Sequence, residues 1–115
     1  MPLVIFSFVV NASKSLTPEE LAIARGISIY YVWYEDRIHF GDDRTNFPVA
    51  ICLSKEEANV ELFRRNRPAA PGMDGYECIG PCLLSDEPRI EMVREVILRT
   101  RNNQPGPVYI PSDLW

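Results

Sequence analysis

The longest apolar stretch lies at the start of the chain: residues 3–10 carry no charge and are made almost entirely of Val, Ile, Leu and Phe. An uncharged β-branched run of this kind reads as a strand enclosed on both faces. It is about half of the ~20 residues a membrane span needs. The Val10-Asn11-Ala12 that follows has the small-residue character of a signal-peptide cleavage site. No basic segment precedes the run and Pro2 follows the first residue, so the expectation is a buried strand, not a signal peptide.

After a polar loop over 11–15, Thr17-Pro18-Glu19-Glu20 writes a helix start: a capping hydroxyl, a proline where no N–H is needed, and a glutamate three places on. Gly26 is placed to end that helix. Residues 27–34 then alternate with period two. Ile27, Ile29, Tyr31 and Trp33 share one face, and Tyr30, Val32 and Tyr34 share the other. With both faces apolar, this is a central strand, or one whose outer face meets either a covering helix or a partner. Residues 37–40 form a further strand, or prolong this one, and 41–46 is a polar turn. A short buried strand follows over 48–53.

Ser54-Lys55-Glu56-Glu57 is a second capping box, opening a helix to about residue 65 with Ala58, Leu62 and Phe63 turned inward. Three prolines and three glycines break up 66–81, which reads as an ordered loop with at most a weakly paired strand over 76–79. The third helix spans 85–102, with Ile90, Val93, Val96, Ile97 and Thr100 as its buried stripe and a Glu95–Arg99 pair on its exposed side. The tail, 105–115, ends in Leu114-Trp115 and is expected to dock back as an edge strand or strap. The pattern predicts one compact α+β domain over 1–115: a mixed, mostly antiparallel sheet of about five strands, with three helices on one side.

Composition agrees with a single core: 115 residues, 46% apolar and 24% charged. Sixteen acidic against twelve basic residues leave a net charge of −4, which disfavours nucleic acid and anionic membranes as general partners. Three cysteines, an odd number, do not make the framework of a small secreted domain, so the expected compartment is cytoplasmic.

Candidate chemistry is sparse. No phosphate-binding loop, dinucleotide fingerprint, nucleophile elbow or paired CxxC occurs. Cys78 and Cys82 are separated by three residues, not the two of a zinc knuckle, and the chain has one histidine, so no metal site is assigned. Either thiol with His39 as base and Asp42, Asp43 or Glu77 behind it would be a nucleophilic set, but a chain of this length supplies those residues by chance. Asp42-Asp43 reads as an acidic turn. No catalytic residue and no cofactor follow from this.

Two readings remain. The first is a non-catalytic protein-interaction module of inhibitor, immunity or self-associating type, a dimer being the expected homo-oligomer. Its surface would comprise Tyr30, Trp33, Tyr34 and Trp115, because Tyr and Trp dominate interface hot spots. The alternative is a small-molecule-binding domain or small enzyme with a pocket between the sheet and the 66–81 loop. There Arg37, His39, Arg64, Arg65, Arg67 and Glu77 would supply polar or anion-binding groups. The Arg64-Arg65-Asn66-Arg67 patch also suits a plain helix end, where cations complement the dipole.

Overall fold

The computed structural model describes residues 15–35, 46–66 and 75–114. The expected strands over 3–10 and 37–40, the acidic turn at Asp42-Asp43, and Arg37, His39, Arg67 and Trp115 lie outside these residues.

Helix α1 (Pro18–Ala24) starts as its sequence dictates. The Glu20 N–H donates to Thr17 Oγ1 (3.1 Å) and the Thr17 N–H donates to Glu20 Oε1 (2.9 Å), completing the capping box. Strand β1 (Ser28–Glu35) follows, then β2 (Phe47–Cys52), helix α2 (Lys55–Asn66), β3 (Gly75–Leu83), helix α3 (Ile90–Arg101) and the two-residue β4 (Val108–Tyr109). The described strands form one sheet of four in the order β3-β1-β2-β4, each neighbouring pair antiparallel. The fold is therefore α+β, with four antiparallel strands among the described residues where about five in a mixed sheet were expected.

The helices do not share a side. Ile29 and Ile51 pack with Ala24 of α1 and with Met92, Val93, Val96 and Ile97 of α3, and Tyr31 packs against this cluster. Val32, Ala50 and Cys52 pack with Ala58 of α2, and Tyr30 and Tyr34 adjoin them. Alternation along β1 puts these clusters on opposite faces, so the sheet lies between α2 and the α1–α3 pair. The even apolarity of β1 fits this arrangement, since helices pack on both of its faces.

Two irregularities shape the sheet. Register slips between Val32 and Trp33, opposite Pro48. Proline has no N–H for the ladder, and the extra residue forms a bulge there. On the other flank, Ile29 faces Cys82 while Tyr31 faces Ile79. The extra residue falls at Gly80-Pro81, where Gly80 has φ +150° and a Cβ would come within 2.9 Å of the Ile29 carbonyl oxygen. That bulge turns the strand over: Cys78 adjoins the α2 cluster, and Cys82 adjoins the opposite one.

Three expectations about the elements change. The weakly paired segment over 76–79 is a nine-residue strand beside β1. The helix expected over 85–102 is instead a 3-10 turn (Leu84–Asp86), an extended Glu87 (ψ 121°) and then α3. Pro88 disfavours helical geometry in the residue before it, which breaks the helix there. In α2, Phe63 is turned outward and 70% exposed, while Glu61 takes an inward position at 3%.

Candidate functional site

At the C-terminal end of α2, where Arg65 and Asn66 meet Tyr76, the rings of Tyr34, Phe47 and Tyr76 stand in a row, on three adjacent strands at register-matched positions. The Tyr34 ring centroid is 5.2 Å from Phe47 and 5.4 Å from Tyr76, both tilted, a spacing at which aromatic rings attract. Tyr109, opposite Ala50 on β4, brings a ring from the fourth strand. With Val49, Ile110 and Arg65 these side chains line an open groove of about 590 Å³.

The guanidinium of Arg65 reaches over the groove, 5.2 Å from the Tyr76 ring centroid and 5.7 Å from that of Tyr109. Both distances lie within cation–π range. Its direction is set by Glu61, one helical turn earlier, which accepts from Arg65 Nε at 2.6 Å. Glu61 also takes two bonds from Arg64 Nη2 (2.8 and 2.7 Å) and one from the Tyr109 hydroxyl (3.2 Å), and Arg64 Nη2 donates to that hydroxyl at 2.8 Å. Burial alone would raise the Glu61 pKa. The hydrogen bonds and charges of Arg64 and Arg65 outweigh it and hold the carboxyl below its usual value. Asn66 closes the other end, its side chain donating to the Tyr76 carbonyl (3.1 Å) and accepting from the Tyr76 N–H (2.9 Å).

Tyr34, from the expected interface set, and Arg65, from the expected anion set, thus meet in one groove. Arg64 stands at its rim, bonded to Glu61 and Tyr109. Tyr30 is half-buried against the α2 cluster. Trp33 and Glu77 line a smaller recess of about 230 Å³ with Tyr34, Glu35, Asn46 and Ile79. The sequence reading passed over Glu61, Phe47, Tyr76 and Tyr109 as site residues. Glu61 sits three and four places before two arginines, a spacing that predicts ion pairs, but its burial depends on the sheet beneath.

The opposite face holds a second acid–arginine assembly. Glu87, with a fully buried side chain, accepts a bond from the Tyr31 hydroxyl and is paired with Arg89 Nη1 at 2.9 Å. Burial, followed by the bond to Glu87 and its charge, raises the Tyr31 pKa. Arg89 Nε donates to the Leu114 carbonyl (2.7 Å), pinning the tail. These groups are enclosed and satisfied, which marks them as structural.

Burial pushes the Cys52 thiol up to about 12, with the Glu57 and Glu61 charges adding to it. Burial also raises Cys78. Neither thiol has the lowered pKa of a nucleophile. Among the described residues no group of three or more His, Cys, Asp or Glu side chains is placed to hold a metal ion, and no helix is long and apolar enough to cross a membrane. Comparison with protein-family models, curated proteins and solved structures returns no match.

Proposed function

We propose that this chain is a non-catalytic interaction module that seats part of a protein partner in the aromatic groove at the C-terminal end of α2. One observation carries the reading: rings from all four strands converge there beneath an arginine whose direction is fixed by a buried glutamate. Tyr and Arg are the residue types that dominate interface hot spots, and pre-set side chains lose little entropy on binding.

The test is quantitative capture on immobilised wild type and Tyr34→Ala, with circular dichroism confirming that both are folded. A protein, or a second copy of this chain, held in amounts comparable to the bait by wild type and lost by the variant supports the reading. Identical retention on both overturns it. The concavity favours a second reading, since about 590 Å³ also suits a small ligand. A native mass spectrum showing a bound small mass that Tyr34→Ala releases would favour that reading.

A further inference from the structure

Glu61 is a costly residue where it stands. Its side chain is only 4% exposed, and an ion pair taken out of water is at best weakly stabilising compared with an apolar side chain of similar volume. The core needs no carboxylate there, because Ala58 and Leu62 of the same helix already pack on the sheet. The effect of Glu61 is to direct other groups: it orients Arg64, Arg65 and the Tyr109 hydroxyl together.

The charge count then matters. One carboxylate serves two guanidinium groups, so the cluster keeps a net positive charge. The bond to Glu61 uses only Nε of Arg65, and neither of its terminal nitrogens has a hydrogen-bond partner among the described residues. A guanidinium edge of this kind matches the two oxygens of a carboxylate. Around it lie the faces and edges of Tyr34, Phe47, Tyr76 and Tyr109, which favour a planar ring.

We infer that the groove recognises an acidic peptide segment carrying an aromatic side chain, with the ring among Tyr34, Phe47 and Tyr76 and the neighbouring carboxylate on the free edge of Arg65. This rests on the interaction-module reading and names the chemistry of the partner. Glu61 is a positioning residue: it holds the guanidinium and does not touch the bound segment. A peptide is favoured over a free acid because the groove is open to solvent and does not enclose its occupant.

The experiment is a titration of the ¹⁵N-labelled chain followed by amide and Arg Nε–H resonances. The probes are phenylacetate, its neutral isostere phenylacetamide, acetate, and the acetylated, amidated tripeptide Asp-Phe-Asp. Phenylacetate is expected to bind about tenfold or more tighter than phenylacetamide, the ratio a charge-assisted bidentate pair supports. Acetate alone should bind more weakly still, and the tripeptide tighter than phenylacetate. Glu61→Leu should stay folded, keep the phenylacetamide shifts and bring the preference for the anion down to about twofold or less.

Equal binding of the charged and neutral rings by wild type would overturn the anion inference and leave the groove intact as a docking site. Phenylacetate binding as tightly as the tripeptide would overturn the peptide source in favour of a free aromatic acid. No shift at Tyr34, Phe47 or Tyr76 with any aromatic probe would remove the groove reading itself. An undiminished anion preference in folded Glu61→Leu overturns the positioning role of Glu61, and one in folded Arg65→Met excludes Arg65 as the recognition group.

Discussion

At the scale of single residues, carboxylates carry most of the organisation. Glu20 is bound by Arg94 Nε at 2.9 Å as well as by the Thr17 N–H, and these contacts lower its pKa to about 2. A carboxyl whose folded pKa is depressed contributes stability above its unfolded value, and that contribution is lost as pH falls through the folded one. Thermal melts should therefore show the difference between wild type and Glu20→Gln shrinking from about pH 5 down to about pH 2. Thr17→Ala, which removes the other half of the box, is expected to cost about 1 kcal/mol at neutral pH, readable as a drop of several degrees in Tm. Thiols give a second check. Because burial raises Cys52 to about 12, iodoacetamide at about pH 8 should alkylate native Cys52 far more slowly than the unfolded chain. Mass mapping that finds Cys52 labelled as fast as Cys82 would contradict the packing described.

Local chemistry had the most predictive power at the scale of elements. Helices α1 and α2 begin where Thr17-Pro18-Glu19-Glu20 and Ser54-Lys55-Glu56-Glu57 place them, because caps are local hydrogen bonds. Signals that depend on distant partners were not legible. Glu57 reads as the second half of a capping box. Its Oε1 instead accepts from the Leu53 N–H, and its Oε2 from the Gly106 N–H across the fold. The prolines and glycines of 66–81 read as loop, yet Gly80 and Pro81 belong to β3, where a bulge needs a residue without a side chain. Gly80→Ala should be among the most damaging single changes: the new Cβ would meet the Ile29 carbonyl at 2.9 Å in a conformation L side chains rarely adopt. A loss of about 2 kcal/mol or more in urea unfolding is expected. A melt unchanged from wild type would mean the bulge is not as described. The same limit applies to the groove: Tyr34 and Arg65 were visible as residue types, but their meeting depended on strand order and on where α2 stops.

For the molecule as a whole, a net charge of −4 and a locally cationic groove act in opposite senses on an acidic partner. Beyond a Debye length the whole chain repels such a partner, while at contact Arg64 and Arg65 attract it. Stopped-flow binding should then show an association rate that is flat or rises between about 50 and 300 mM salt, with faster dissociation. A steep fall in association rate would mean that the groove's charge dominates at long range. The tail has a consequence of another kind. Val108 and Ile110 belong to the core on the α3 side, while the Tyr109 between them forms a wall of the groove and bonds Glu61. On the ribosome those three residues are made after every other part of the groove. A nascent chain lacking them has neither a finished core nor a finished groove, so the groove and the core that supports it are completed together, by the same last stretch of chain.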